Sequence, residues 1–290
     1  MNQAAFTLTN PQTNALAFKV FTFEDGSYFQ QPGNYSHYSI VLITKGTGKV
    51  RADLSEYSFE ADCLICFSVY QPFRFVADAE FKGMLINFHP DFFCIHKHQD
   101  EIACNGVLFN NIYDSPVVRL ESVELSSLLA TVNELKAEMQ NAALAQYELL
   151  VSYLKIFLIN ASRIKMKQNP PATTNGKKEP FVLQTLKDAI EEHYKTKHSA
   201  GEYADLLNIS VRALSRISKV KFKRTLTNLI AERIIIEAKR ELYLTAKPVK
   251  KIAFELGFSD EFYFSRFFKR NAAVSPQTYR ETVGFSRGEV

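Results

Sequence analysis

The stretch GFSDEFYFSRFFKR, residues 257–270, combines five phenylalanines and a tyrosine with two arginines and a lysine. Phe264, Phe267 and Phe268 lie three and four residues apart, a spacing that places them on one face of a helix. Most of the charged side chains fall on or beside the opposite face. The pattern therefore predicts a helix that packs through its aromatic face and presents its basic face to an anionic partner.

The same pattern occurs earlier in the chain, as an internal repeat. YADLLNISVRALSRISK, residues 203–219, aligns with IAFELGFSDEFYFSRFFK, residues 252–269, and the second copy is longer by one residue in the turn. Each copy predicts a short helix, a tight turn and a second helix, which together form a helix-turn-helix. Ser199 and Glu202 have the spacing of a capping box before the first helix. The residues expected at the two turns and at the N-caps of the second helices are Asn208, Ser210, Gly257 and Ser259.

One long helix is predicted between the two copies. LTNLIAERIIIEAKRELYLTA, residues 226–246, carries an apolar stripe made of Leu226, Ile230, Ile234, Ala238 and Leu242. At ~1.5 Å per residue such a helix is roughly 30 Å long. One turn of DNA, ~34 Å, separates successive major grooves on one side of a duplex, so the helix has a suitable length to hold two reading helices one turn apart.

Residues 250–280, KKIAFELGFSDEFYFSRFFKRNAAVSPQTYR, resemble the signature of the AraC/XylS family of transcriptional regulators. The matching elements are Ile-Ala, Gly-Phe, Tyr-Phe-x-Arg-x-Phe-Lys and Ser-Pro-x-x-Tyr-Arg, and the resemblance covers roughly residues 183–283. The family usually has glycine two residues before Ser-Pro, where this chain has Ala273, and the first repeat has Lys223 at the equivalent place. Both second helices must therefore end without the residue that best tolerates positive φ.

The resemblance implies that the second helix of each repeat reads base pairs in a major groove of double-stranded DNA. The residues on the base-reading faces are then Arg212, Ser215, Arg216, Glu261, Phe262, Ser265 and Arg266. Phosphate contacts are expected from Lys219, Lys269, Arg270, Ser275 and Arg280. Ser275 is also expected to cap the last helix, ahead of Pro276. Two alternatives stay open: Arg216 or Arg266 pairs with an acidic residue of the domain, or Phe262 covers the core instead of a thymine methyl group.

The first hundred residues show the composition of short strands separated by turns. In YSIVLITKGTGKVRADLSEYSFEADCLICFSV, residues 38–69, β-branched and aromatic residues are interrupted by glycines and by the DLSEY segment. Another turn is expected around Lys82–Gly83. Several short strands without intervening helices predict an antiparallel sandwich or barrel, and the family resemblance implies that this barrel is cupin-like.

A helical hairpin and a linker are predicted after the strands. Apolar residues recur at helical spacing from Leu125 to Met139 and again from Leu144 to Leu158. This hairpin either packs against the barrel or forms a dimer interface. QNPPATTNGKKEP has the composition of a linker. The predicted divisions are a sensor barrel at 1–120, the hairpin at 121–167, the linker at 168–180 and a double helix-turn-helix domain at 181–290.

Barrels of the resembled family often bind a small effector. The residues expected to line such a pocket here are His37, Tyr38, Arg51, Gln71 and Arg74. Metal-binding cupins carry a His-x-His pair with a Glu and a later His, whereas the corresponding strand has His37 alone. Cys63 and Cys66 should point to opposite faces of a strand. We therefore expect no metal, no cofactor and no enzymatic activity, and a metal-cupin enzyme with a basic helical appendage is the less favoured alternative.

Charge is distributed unevenly along the chain. The formal net charge is +4, but residues 181–290 contain 20 Lys and Arg against 13 Asp and Glu. This excess places the anion-seeking surface in the C-terminal third. No apolar run approaches the ~18 residues that a membrane span needs, the N-terminus does not resemble a secretory signal, and four cysteines do not make a disulfide framework. A cytoplasmic location without membrane association is expected.

These features predict a two-domain α+β protein. Its N-terminal part is a cupin-like antiparallel β-barrel with a helical hairpin, and its C-terminal part is an all-α domain with two helix-turn-helix motifs. The resemblance implies a sequence-specific transcriptional regulator, an activator, that is controlled by a small effector. It also implies that the protein binds double-stranded DNA as a homodimer and acts together with RNA polymerase. A regulator without an effector, controlled by expression level or a protein partner, is the alternative.

Overall fold

A computed structural model of the 290-residue chain describes residues 5–12, 14–29, 36–53, 55–77, 80–98, 106–141, 143–168 and 181–283. The chain divides into two compact units, here called the barrel unit, which takes in most of residues 5–168, and the helical unit, which takes in residues 181–283. Of the predicted linker only Gln168, the last residue of a helix, is described. None of the described helices is long and apolar enough to cross a membrane.

The barrel unit contains nine strands among its described residues. They are β1 (Ala5–Thr9), β2 (Leu16–Phe23), β3 (Tyr38–Lys45), β4 (Gly48–Ala52), β5 (Ser55–Phe59), β6 (Cys63–Phe67), β7 (Phe73–Ala77), β8 (Lys82–Phe88) and β9 (Val117–Arg119). Six strands form a sheet in the order β1-β2-β8-β3-β6-β9, and three form a second sheet in the order β5-β4-β7. The strand pairings that the structure registers are antiparallel, as predicted.

Alternation along the strands gives the six-stranded sheet two different faces. On one face Phe21, Phe23 and Val41 share a single core with Phe73 and Phe75 of the smaller sheet. We call this core the barrel interior. The contacting phenylalanine rings within it have centroids 3.9–6.0 Å apart, a spacing typical of favourable aromatic pairs. The interior of the barrel is therefore largely an aromatic core.

The helical hairpin covers the other face of the large sheet. It consists of α1 (Ser122–Gln140) and α2 (Gln146–Gln168), whose facing apolar residues are buried. From α1, the Lys136 Nζ atom lies 3.1 Å from Thr22 Oγ1 and 3.2 Å from Met84 Sδ. Thr22 and Met84 alternate with residues of the barrel interior, so they lie on the opposite face. The hairpin therefore packs on the barrel through one side.

Two sequence features of the barrel have different outcomes. The turn expected around Lys82–Gly83 is wrong, because both residues belong to β8. A Cβ atom on Gly83 would lie 2.1 Å from the carbonyl oxygen of Leu42, so glycine here allows two strands to approach closely. Cys63 lies in the barrel interior, where burial raises the pKa of its thiol to about 12. Cys66 is oppositely directed by alternation, as predicted.

The helical unit contains seven helices within residues 181–283. They are α3 (Phe181–His193), α4 (Ala200–Leu207), α5 (Val211–Lys221), α6 (Leu226–Leu244), α7 (Val249–Glu255), α8 (Glu261–Ala272) and α9 (Pro276–Val283). The first helix-turn-helix is α4–α5 and the second is α7–α8. The predicted turns are present, since Asn208 and Gly257 adopt positive φ of 52° and 81°. The capping box of Ser199 and Glu202 is also confirmed.

The N-cap of α8 differs from the prediction. In the first repeat, Ser210 Oγ accepts a hydrogen bond from the Ala213 amide at 3.3 Å, as expected. In the second, the carboxylate of Asp260 accepts from the amides of Phe262 and Tyr263 at 3.1 and 2.8 Å. The predicted cap, Ser259, is therefore wrong, because the extra residue of the second repeat moves the helix start one position along the chain.

The second helix of each motif, here called its recognition helix, is followed by a left-handed residue that is not glycine, as the sequence indicates. Lys223 follows α5 with φ of 57°, and Ala273 follows α8 with φ of 63°. The N-cap residue of the next helix lies two residues later in each repeat. Thr225 Oγ1 accepts from the Asn228 amide at 3.2 Å, and the predicted cap Ser275 accepts in the same way at the start of α9.

Replacing Ala273 with glycine should stabilise the protein. A non-glycine residue in the left-handed region costs about 1–2 kcal/mol, and the extra freedom of glycine in the unfolded chain offsets ~0.4–1 kcal/mol of that. We expect Ala273→Gly to raise the free energy of unfolding by about 0.5–1 kcal/mol in chemical denaturation of the full chain. The neighbouring Ala272→Gly, at the last residue of α8, is the control and should lower it by ~1 kcal/mol, because it removes a fully buried methyl group and adds freedom to the unfolded chain. Changes of the same sign for both variants would contradict this account.

The position of the α8 cap can be tested with adjacent residues. Asp260→Ala leaves two amides of the first turn without an acceptor, so it should lower the free energy of unfolding by ~1 kcal/mol. Ser259→Ala removes an exposed hydroxyl and should change it by less than ~0.5 kcal/mol. Both are measured by denaturation followed by circular dichroism. A larger loss for Ser259→Ala than for Asp260→Ala would restore Ser259 as the cap.

Candidate nucleic-acid interface

The recognition helices α5 and α8 each bury one face in the helical unit. Leu214 of α5 and Phe264 of α8 occupy equivalent positions and are fully buried. Phe268 is buried one turn later, and the ring of Phe267 lies 5.1 Å from that of Phe258. The aromatic face predicted from the sequence is therefore the packed face of α8.

The opposite faces of these helices carry exposed arginines. Arg212 and Arg216 on α5, and Arg266 on α8, are all solvent-exposed. Among the residues that the structure describes, no ion pair or side-chain hydrogen bond engages any of the three. Pairing of Arg216 or Arg266 with an acidic residue, the alternative left open by the sequence, is thus not found in the described part of the chain. Beside them lie the half-buried Ser215, Ser265 and Glu261.

Two aromatic side chains project from the first turn of α8. Phe262 is 76% exposed and Tyr263 is 56% exposed. Phe262 therefore does not cover the core. The alternative in which it does so, left open by the sequence, is not found in the structure. The exposure of Tyr263 is not predicted from the sequence. A tyrosine next to Phe264 could be either buried or exposed, and the pattern does not distinguish the two. The pair places an apolar surface next to Arg266.

The basic residues expected to contact phosphate fall into two groups. Lys219, Lys269 and Arg270 are exposed near the C-terminal ends of their helices, and no ion pair of the described residues involves them. Arg280 differs from the expectation. Its guanidinium donates to the carbonyl oxygens of Leu242 at 3.2 Å and Lys247 at 2.7 Å, and burial lowers its pKa.

The contacts of Arg280 give it a structural role. They connect α9 to the C-terminal end of α6, where unpaired carbonyl groups need donors. This use of the guanidinium argues against the phosphate contact that the sequence analysis expects of Arg280. Ser275 is half-buried and its hydroxyl lies 2.7 Å from Thr278 Oγ1 as well as capping α9.

One long helix, α6, lies between the two motifs. Its predicted stripe is buried along the whole length of α6, from Leu226 to Leu242. Its 19 residues correspond to a length of roughly 28 Å at ~1.5 Å per residue. Beside the stripe, the buried carboxylate of Glu237 forms ion pairs with Arg233 at 3.4 Å and with Arg240 at 3.0 Å. Burial by itself would raise the pKa of Glu237, but the guanidinium groups of Arg233 and Arg240 hold this pKa below its ordinary value.

The residues predicted for an effector pocket do not converge. Arg51 and Arg74 are directly opposite each other on β4 and β7, but both are exposed and alternate with residues of the barrel interior. Gln71 closes a turn, with its Oε1 accepting from the Ser68 amide at 2.9 Å. The structure therefore brings the two arginines together on an outer surface and gives Gln71 a local partner.

His37 and Tyr38 lie at the start of β3. The Nε2 atom of His37 is 2.8 Å from the carbonyl oxygen of Leu16, and burial lowers the pKa of its imidazole. Tyr38 is buried and stacks on Phe88 with centroids 5.1 Å apart. Neither contacts Arg51 or Arg74 through any described interaction.

A different set of polar side chains meets on the inward face of the large sheet. Lys19 on β2 pairs in register with Asn87 on β8, and Asn87 pairs with Ser39 on β3. The amide of Asn87 donates to the Ser39 hydroxyl at 2.7 Å. None of the three is among the pocket residues expected from the sequence. The only sequence signal for these residues lies in LAFKVFTF, residues 16–23. There Lys19 alternates in step with Phe21 and Phe23, so it is expected on the same face of the strand as these two aromatic residues.

Among the described residues, no group of three or more His, Cys, Asp or Glu side chains is arranged to hold a metal ion.

Comparison with known proteins identifies both units. A family model described as an AraC-like ligand binding domain matches residues 22–152, and one described as a helix-turn-helix domain matches residues 203–282. The raffinose operon transcriptional regulatory protein RafR of Pediococcus pentosaceus is 28% identical over 138 residues, which cover 48% of this chain and 46% of that protein. The chain thus spans about half the length of this relative.

Two further similarities concern the C-terminal part. The solved C-terminal domain of AraT, a response regulator from Geobacillus stearothermophilus, is 27% identical, with 40% of this chain and 95% of that chain covered and a TM-score of 0.37. The regulatory protein SoxS of Salmonella typhimurium is 31% identical over 102 residues, which cover 35% of this chain and 95% of SoxS. The chain belongs to the AraC/XylS family of transcriptional regulators.

Proposed function

We propose that this protein is a sequence-specific DNA-binding transcriptional regulator that reads two successive major grooves through α5 and α8. The observation that carries the proposal is the presence of two helix-turn-helix motifs, each with an exposed arginine that no described residue neutralises. Between them, α6 is a single buried helix of roughly 28 Å. That length is close to one turn of DNA, ~34 Å, so the two motifs suit one face of a duplex.

The exposed residues divide into two roles. Arginine presents a planar fork that takes O6 and N7 of guanine together, with ~1–3 kcal/mol of discrimination. The residues proposed to face bases are Arg212, Ser215, Arg216, Glu261, Phe262, Ser265 and Arg266. Residues nearer the helix ends act on the backbone, where position is set without sequence preference. The residues proposed to contact phosphates are Lys219, Lys269, Arg270 and Ser275, and Arg280 is left out.

The barrel unit and hairpin supply regulation in this proposal. The AraC-like ligand binding domain supports a small effector held in the barrel. The outward side of α2 supports homodimer formation, because Leu149, Ile156 and Met166 are 39%, 47% and 45% exposed along one helix side. An apolar strip of this kind suits the same strip of a second copy. The effector then changes how two helical units are presented to an operator, and RNA polymerase is the partner through which an activator acts.

Base reading is tested by a pair of arginines on α8. Arg266→Ala should weaken binding to a selected operator by about 10- to 100-fold and relax preference at one base pair, because it removes a base contact. Arg270→Ala, the control, should weaken binding to all sequences similarly and reduce the salt dependence by about one phosphate contact. Operators are selected with full-length protein from a random duplex library, and affinities are measured at two salt concentrations.

Two outcomes would contradict the paired-reader proposal. One is selection that yields no sequence motif but only salt-sensitive binding. The other is Arg266→Ala and Arg270→Ala behaving identically on selected and unrelated duplexes. Two motifs about one helical turn apart, only one of which is relaxed by Arg266→Ala, are expected.

The proposed dimer strip is tested with a charge. Ile156→Glu should raise the dimer dissociation constant by at least ~10-fold, because the substitution removes an apolar contact and buries an unpaired carboxylate in the dimer interface. Val123→Glu is the matched control, since Val123 is 80% exposed on α1 and lies off the strip. Sedimentation equilibrium of the full chain measures both. Equal effects of the two substitutions, or a monomeric parent protein, would overturn this interface.

A further inference from the structure

The barrel interior changes character towards one end. Reading across β2, β8, β3 and β6, one layer of inward side chains is Phe21, Leu85, Val41 and Ile65. The adjoining layer is Lys19, Asn87, Ser39 and Phe67. Three of its four members are polar. We call Lys19, Ser39 and Asn87 the polar layer.

Lys19 has unusual surroundings for a lysine. Its Nζ atom lies 5.0 Å from the ring centroid of Phe21 and 5.1 Å from that of Tyr28, whose rings are themselves 4.9 Å apart. No ion pair of the described residues includes Lys19, and burial lowers the pKa of its ammonium group. The half-buried cation therefore contacts aromatic faces, with no carboxylate supplied by the described part of the chain.

The rest of the layer is ordered and polar. Asn87 and Ser39 are buried, and the hydrogen bond between them holds the amide and the hydroxyl in place beside Lys19. Beyond this layer at the same end of the sheet lie His37 and His89, with ring centroids 5.2 Å apart. This end of the barrel thus holds polar side chains in two successive layers next to aromatic rings.

This combination selects a class of ligand. An ammonium group that is partly removed from water and has no counter-charge gains most from an anion. One cation matches a singly charged group such as a carboxylate better than a doubly charged phosphate. The adjoining rings of Phe21 and Tyr28 favour an apolar body on the anion, as in most small-molecule sites. A purely structural lysine would be better placed on the outer face of the sheet.

We propose that the polar layer is the effector-recognition site and that it binds a small organic acid, with Lys19 pairing the carboxylate and the apolar body lying against Phe21 and Tyr28. The hydroxyl and amide of Ser39 and Asn87 supply the neighbouring polar contacts. This inference rests on the proposed function only in treating the barrel as the effector domain. It replaces the pocket expected from the sequence, of which His37 and Tyr38 at the start of β3 lie near this end.

The test is calorimetric titration of the full chain with acetate, benzoate and decanoate. Benzamide is the neutral match of benzoate, and inorganic phosphate is the anion without an apolar body. Benzoate or decanoate should bind with a dissociation constant of about 1 mM or tighter, and more tightly than acetate, phosphate or benzamide. Lys19→Met should weaken that binding about 10- to 100-fold, the value of a lost charge-assisted contact.

Two variants keep the result interpretable. Lys49→Met, on the outer side of β4 where Lys49 pairs with Glu56, should bind as the parent does. Lys19→Arg keeps the charge and should retain most of the binding. Without ligand, Lys19→Met should not lower the Tm, because burial disfavours the charge that it removes. A preserved Tm shows that lost binding is not lost folding.

The inference is overturned if no apolar carboxylate binds, if benzamide matches benzoate, or if Lys19→Met binds as well as Lys49→Met. The operator selection on the same protein separates this from the proposed function. Sequence-specific DNA binding without carboxylate binding would reject the inference alone. Carboxylate binding through Lys19 without sequence-specific DNA binding would reject the proposed regulator alone.

Discussion

The close approach of Gly257 to the carbonyl group of Lys195 constrains the second helix-turn-helix. A Cβ atom at Gly257 would lie 2.0 Å from that oxygen, and its φ of 81° is accessible mainly to glycine. This turn leads into α8, in which Phe264 is buried and Arg266 is exposed. Every functional assignment on α8 depends on that orientation. In the first repeat Asn208 adopts the same left-handed conformation with a side chain that tolerates it.

Most of the helical unit could be predicted from local sequence, and the two features that the sequence did not predict have physical causes. Helical periodicity and helix capping depend on residues only a few positions apart in the chain. The apolar stripe of α6 and the turns of both motifs could therefore be predicted from the sequence. Asp260 was missed because Ser259 and Asp260 are both good caps, and only the position of the inserted residue decides between them. The carbonyl contacts of Arg280 were not foreseen because they lie at and beyond the end of α6, and a sequence pattern does not show which carbonyl groups a folded chain leaves unpaired.

The barrel was predictable as a class but not as a site. Alternating strands indicate an antiparallel architecture, yet the register between strands is decided by long-range pairing. Lys19, Ser39 and Asn87 come from three strands distant in the chain and meet only through that register. Arg51 and Arg74 had equally suitable chemistry and fell on the outer surface. The family model identifies a ligand binding domain, but the residues inside it follow from this chain's own strand pairing.

Lys19 and Arg266 share one property although they belong to different units. Each is a cation for which the described residues provide no counter-charge, on a scaffold that is otherwise well packed. For folding alone, an apolar or neutral side chain would serve as well at Lys19, and an exposed neutral one at Arg266. Local rules of stability are commonly broken where a protein binds something else. The partners proposed for them are both anionic: a carboxylate at the barrel for Lys19 and DNA for Arg266. The same electrostatic argument therefore supports the proposed effector and the proposed DNA contact.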